Sequence, residues 1–314
     1  MVMPLIDSEH DIVAIVESAP RGYSPSRSAP PLFSGFISLI KRVAIRNYTL
    51  RGLCKSISIP YHLMHKGNEL ETEAFVKFHN PDLIVIYSMS QLLKKSVFKI
   101  PRFGAINLHP AYLPEYRGPN PDFWHYYDMN LTPGVTVHYI DKGEDSGDII
   151  LQAKTNVALG VPSTERLNVL IGEVGLSILL ESIELIESKK VCPKPQAKIS
   201  PTIRARHLFE AEHKSIINWA EWPIERIWNI LRGTESWLNA VKQPSCIYTG
   251  QRWSILGYEK CSMQSVKNLG GISKDNRGYF IECNDGYIRV NKTFDLRVFL
   301  RYIYLVLRKT VSLK

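Results

Sequence analysis

The sequence predicts an α/β chain with a smaller β domain behind it, and three observations carry that prediction. Short continuous apolar runs recur between residues 11 and 150, in the manner of strands buried on both faces. Segments with three-four apolar spacing, the mark of helices, lie between and after them. Beyond residue 201 the pattern becomes one helix followed by short strand-like runs and turns, which reads as a small barrel.

In chain order, Asp11-Ile-Val-Ala-Ile-Val16 is the first apolar run. A helix is expected around Phe36, Leu39, Ile40, Val43 and Ala44, and another from Glu69 to His79. Asp82-Leu-Ile-Val-Ile-Tyr87 is a second strand, entered through Asn80-Pro81, and Gly104 to Leu108 and Val135 to Ile140 are two more. Leu167, Leu170, Ile171, Val174, Ile178, Ile183 and Ile186 keep helical spacing behind Pro162-Ser163. The stretch from Ser188 to Pro201 holds three prolines and four lysines among few apolar side chains, a linker composition. Trp219 to Arg232 is the helix that opens the last domain, and Asp285-Gly286 is its final turn. The expected divisions are a first domain over 1–187, a linker over 188–205, a barrel over 206–295 and a basic apolar tail over 296–314.

Composition narrows the partners. Lys and Arg number 39 against 30 Asp and Glu, giving a net charge of +9 and a pI near 9.2. That surplus favours anionic partners such as nucleotides, nucleic acid or lipid headgroups. The five cysteines, Cys54, Cys192, Cys246, Cys261 and Cys283, are widely spaced with no paired motif, so neither a disulfide scaffold nor a structural metal site is expected. No signal peptide opens the chain and no run of eighteen apolar residues occurs, so the expected compartment is the cytoplasm. The tail from Leu296 to Leu307 is apolar with Arg297, Arg301 and Arg308 near helical spacing. It reads as a helix docked on the protein's own body, or as a peripheral contact with the inner face of an anionic membrane.

One stretch carries chemistry. Asn107 and His109 sit two apart at a strand end and so share a face, which is expected to open at the carboxyl edge of a parallel sheet. Asp145 follows a neighbouring strand, in a Gly- and Asp-rich turn that could bring its carboxylate to the imidazole. A lone histidine or a single Asp-Ser-Gly-Asp turn is usually structural. The three residues together fit acyl transfer. His109 acts as acid and base, Asp145 fixes its tautomer, and Asn107 offers an N–H to a developing oxyanion, a contact worth about 3 kcal/mol of barrier. With no serine or cysteine nucleophile beside them, direct attack by an amine fits better than a covalent enzyme intermediate.

Asn107-Leu-His109, Leu113-Pro114, Arg117-Gly118, Gly134-Val-Thr136 and Asp145-Ser-Gly147-Asp148 together resemble the signature of the folate-dependent formyltransferases. The resemblance implies a Rossmann-like domain followed by an OB-like C-terminal barrel, which Ile217 to Arg232 and Gly271 to Val290 match loosely. It implies Asn107, His109 and Asp145 as the catalytic trio, 10-formyltetrahydrofolate as co-substrate, and no metal. Ser88, Met89, Ser90 and Leu92, with Asp141, Gly143 and Glu144, are the implied pterin contacts. Members of this kind formylate either initiator methionyl-tRNA or amino sugars. A hydrolase that releases formate, or a binding protein with a broken site, are the alternatives.

Two departures bear on these expectations. Residues 1–10 read as the end of a first helix, so the fold is expected to lack its first strand, through an upstream start or a truncation. The loop Arg117-Gly-Pro-Asn-Pro121 differs from the Arg-Gly-Ala-Ala-Pro of tRNA-formylating members, and the stretch from Arg21 to Lys55 is differently built. Both favour a small acceptor, a nucleotide-linked amino sugar, over tRNA, while the positive charge suits tRNA.

Overall fold

A computed structural model describes residues 2–20, 23, 49–244, 251–261 and 268–294. The helix expected around Phe36 to Ala44 and the tail over 296–314 lie outside the described residues. In chain order the elements are α1 (Val2–Ile6), β1 (Ile15–Ser18), α2 (Leu50–Ser56), β2 (Tyr61–Met64), α3 (Glu69–His79), β3 (Ile84–Tyr87), α4 (Lys95–Phe98) and β4 (Ala105–His109). Next come α5 (Pro121–Tyr127), β5 (Gly134–Tyr139), β6 (Ile149–Lys154), α6 (Ser163–Leu167), a π-helical stretch (Asn168–Gly175) and α7 (Leu176–Glu187). The last are α8 (Ile224–Gly233), β7 (Gln251–Lys260), β8 (Ile272–Asp275), β9 (Gly278–Cys283) and β10 (Gly286–Phe294).

The chain divides into two compact units. One comprises Met1–Arg117, Gly134–Ala153 and Ile171–Ile203; the other comprises Gly118–Pro133, Lys154–Leu170 and the residues from Arg204 onward.

The first unit is a Rossmann-like α/β body. Its sheets are the parallel pair β1–β2 and a four-stranded sheet in the order β3-β4-β5-β6. β4 is parallel to β3 and antiparallel to β5, so the sheet expected to be parallel is mixed. The reversal brings β5 back beside β4 with Asn107 opposite His138 and His109 opposite Thr136. Ile106, Leu108, Val135 and Val137 are buried in these central strands, and the inward face of α7 carries Ile178, Leu179, Ile183 and Ile186 to β5. α3 spans the expected Glu69 to His79, with Glu69 and Glu71 in its first turn and Lys77 and His79 in its last, each suited to the helix dipole. It stops at Asn80, whose left-handed φ of 43° ends the helix before Pro81.

Other expectations need adjustment. The first apolar run is not a strand buried on both faces. β1 begins at Ile15, and Val13 and Val16 are 37% and 38% exposed, because β2 is its one pairing partner among the described residues. β3 likewise ends on an exposed Tyr87. The helical run behind Pro162 is continuous but loosens into a π-helix between α6 and α7.

The second unit holds a four-stranded antiparallel sheet in the order β7-β10-β9-β8, consistent with an OB-like fold. α8 lays Ile224, Ile227, Ile230 and Leu231 inward, against β7, β10 and α5. It starts five residues later than its apolar spacing predicts, because Pro223 fits a helix entry and the Asp285 carboxylate receives the Ile224 N–H at 3.2 Å. α5 buries Phe123, Trp124 and Tyr126. The Trp124 indole donates to the Arg206 carbonyl, and the Tyr126 ring occupies the space in front of Gly233. Among the described residues, no helix is long and apolar enough to cross a membrane.

Candidate active site

β4 delivers Asn107 and His109 to one face two residues apart, and the loop after β5 returns Asp145 to them. The three expected residues meet within the first unit. Asn107 Nδ2 lies 3.5 Å from Asp145 Oδ1, and His109 Nδ1 lies 3.7 Å from Asp145 Oδ2. His109 is 5% exposed. Its Nε2 faces the Tyr116 carbonyl at 3.1 Å. A carbonyl only accepts, so Nε2 carries hydrogen and Nδ1 is the nitrogen left to take or give a proton beside the Asp145 carboxylate.

A fourth residue completes the cluster. His138, 1% exposed, places Nε2 3.2 Å from Asn107 Nδ2 and 3.8 Å from Asp145 Oδ1. Its Nδ1 donates to the Tyr139 carbonyl at 2.8 Å, so Nε2 of the neutral ring carries a lone pair. Burial, and then the nearby His109, push its pKa down to about 4. The neutral ring therefore accepts one Asn107 N–H, which fixes which way the amide faces. The other N–H points at Asp145 across a distance at the limit of hydrogen bonding. Sequence reasoning missed His138. The available signal is the two-residue period of β5, which puts Thr136 and His138 on one face.

The loops that follow β4 and β5 are held by polar side chains. Thr136 Oγ1 donates to the Ala111 carbonyl and accepts the Leu113 N–H, while Gln152 donates to the Leu113 carbonyl, so the chain leaving His109 is pinned. Asp145 has φ of 51°, in the left-handed region that a short polar residue tolerates. Its carbonyl accepts from Arg117 Nε at 3.2 Å and from Gln196 Nε2 at 3.1 Å.

The residues expected at the pterin are placed on two loops. Ser90 N–H donates to Ser18 Oγ at 3.2 Å and the Gln91 side chain donates to the Ala19 carbonyl, tying the 88–92 loop to the end of β1. Ser88 sits at a left-handed φ of 54°. Met89 and Ile140 pack on the same cluster of Ile86, Phe98 and Ala105, so the 88–92 and 141–144 segments share an apolar base. Asp141 Oδ1 accepts from the Gly143 N–H and the Ser146 hydroxyl, which shapes the turn that also carries Glu144. Leu92 stands apart, 78% exposed. Among the described residues, no three His, Cys, Asp or Glu side chains cluster as metal ligands.

Comparisons with known proteins bear on the family and the fold. The family model described as formyl transferase matches residues 59–183, and the formyl transferase C-terminal domain matches residues 211–295. A methionyl-tRNA formyltransferase of Alkaliphilus oremlandii (strain OhILAs) is 30% identical over 252 residues, 80% of this chain and 73% of that protein. One of Clostridioides difficile (strain 630) is 27% identical over 279 residues, 86% of this chain and 81% of that protein. Among solved structures, HypX from Aquifex aeolicus in complex with tetrahydrofolic acid superposes with a TM-score of 0.56 at 15% identity. It covers 92% of this chain, which spans about half of the length of HypX (47%), and the likeness is one of fold.

Proposed function

Since the chain belongs to the formyl transferase family, we propose that this formyl-transferring enzyme moves the formyl group of 10-formyltetrahydrofolate to a primary amine, that of a nucleotide-linked amino sugar. The observation that carries the reading is the convergence of Asn107 and His109 on the Asp145 carboxylate, at 3.5 and 3.7 Å, beside a histidine that fixes the asparagine amide. Bound folate supplies an activated formyl carbon. The chain's own residues do the rest. As the amine adds to that carbon, negative charge grows on the formyl oxygen, and Asn107 Nδ2–H with protonated His109 donates to it. Asp145 draws the proton from the attacking nitrogen, and His109 returns a proton to the departing folate nitrogen. No step needs a covalent enzyme intermediate.

The pterin is assigned to Ser88, Met89, Ser90, Leu92, Asp141, Gly143 and Glu144. The two loops offer an apolar base at Met89 and Ile140, and backbone and carboxylate groups along their length, the mixture a flat ring with a polar edge requires. For the acceptor, the Pro-Asn-Pro loop after Gly118 supports the sugar reading. The names of the curated relatives and the charge of +9 support the second reading, initiator methionyl-tRNA.

One experiment decides between them. Purified protein is incubated with 10-formyltetrahydrofolate and either amino-sugar nucleotides, charged initiator tRNA or no acceptor. Formyl transfer to a sugar nucleotide with none to tRNA is expected. Transfer to tRNA alone moves the assignment to the second reading, and formate release without acceptor makes the protein a hydrolase.

A further inference from the structure

Resting on the transfer reading above, we propose that Gln196 is a positioning residue that holds the Asp145 loop in its working conformation. The segment that composition marks as a linker runs past the Asp145 loop as a strap within the first unit. Lys194 exchanges both backbone hydrogen bonds with Ile149 at 2.8 Å, anchoring one end to β6. Thr202 Oγ1 receives the Tyr116 N–H at 2.6 Å, and the carbonyl of that same Tyr116 takes the His109 Nε2 hydrogen.

Between those anchors Gln196 makes four bonds with one amide. Its Oε1 accepts from Arg117 Nε at 3.2 Å and Nη2 at 2.7 Å. Its Nε2 donates to the Asp145 carbonyl at 3.1 Å and to the Gly147 carbonyl at 2.6 Å. The orientation is forced, because a guanidinium can only donate and a carbonyl can only accept. Arg117 continues the strap's hold by donating to the carbonyls of Ala197 and Lys198. Gln196 therefore grips the loop on both sides of Ser146, next to a residue whose left-handed backbone needs outside support. The carboxylate that meets Asn107 and His109 hangs from that backbone, and a displacement near 1 Å at such a group costs about a hundredfold in rate.

Two variants test this. Gln196→Glu keeps an acceptor for both Arg117 bonds but cannot donate to the two carbonyls; Gln196→Met keeps the length and loses every bond. The first readout is independent of activity: hydrogen exchange over residues 141–148 should quicken in both variants while exchange in β7 to β10 stays as in the natural protein. Unchanged exchange in that loop overturns the proposal. The second readout is a double-mutant cycle with Asp145→Ala. Gln196→Glu is expected to lower kcat about 10- to 100-fold in the natural background, with KM for the formyl donor held within about threefold, and to have almost no effect once Asp145 is gone. Equal losses in both backgrounds mean that Gln196 acts elsewhere, and they also overturn the proposal. If the natural protein transferred no formyl group, the transfer reading would fall, and the exchange measurement would still decide the role of Gln196.

Discussion

Protons at the two site histidines set the behaviour of individual residues. His109 presents Nδ1 to Asp145, so removing either partner removes the proposed acid–base pair: His109→Ala and Asp145→Ala should each lower formyl transfer by about two to four decades, read from initial rates on folded protein. His138 has the opposite task, to stay unprotonated. Its pKa is near 4 in the fold and 6.5 in the unfolded chain, so between those values the unfolded chain takes up a proton that the folded chain refuses. Its contribution to stability is therefore complete above pH 6.5 and is lost as pH falls toward 4, on the order of 3 kcal/mol in all. His138→Gln, which keeps an acceptor for Asn107 and does not titrate there, should flatten that part of the stability–pH curve in denaturant titrations at stepped pH. A steep fall of equal size in His138→Gln would assign the pH dependence to other groups.

Elements decide whether those residues meet. Gly147 lies so close to β5 that an added Cβ would stand 1.9 Å from the Tyr139 carbonyl oxygen, beside the Tyr139 N–H to Asp148 carbonyl bond. Gly147→Ala must lift the loop off the strand. A loss of about 2–4 kcal/mol in urea unfolding, together with a fall in turnover, is expected; unchanged stability would mean that the loop relaxes freely. The same scale explains what could be read in advance. Asn107, His109 and Asp145 were legible because a two-residue strand period and a turn-rich Asp-Ser-Gly-Asp are local signals. His138 was not, because its role depends on the β4–β5 register, a pairing between residues about thirty apart in sequence. Gln196 was hidden in a proline-rich stretch whose composition reads as a spacer. β2, with Tyr61-His-Leu-Met64, has no β-branched residue, and β6, with Ile149-Ile-Leu-Gln-Ala-Lys154, is equally compatible with a helix, so neither announced itself.

Across the whole molecule, the charge of +9 gives a measure of what the enzyme grips. A small sugar nucleotide displaces few counterions, so kcat/KM for it should fall less than about tenfold between 50 and 200 mM salt, whereas a tRNA held through many phosphates would lose about three decades or more over that range. Rate measurements at stepped salt with each acceptor check this. The interleaving of the two units has a consequence of another kind, for the chain as it is being made. Residues 118–133 and 154–170 leave the ribosome well before the residues from 204 onward with which they form their unit. Phe123, Trp124 and Tyr126 are thus synthesised long before Arg206 and Gly233, the backbone partners of two of those rings. Three large aromatic side chains that end up at most 4% exposed must wait, unsheltered, for the last third of the protein. Exposed apolar surface of that sort is what makes incomplete chains prone to aggregate, so the half-finished polypeptide is more exposed to that hazard than the finished enzyme, and slower synthesis ahead of residue 204 would lengthen the exposure.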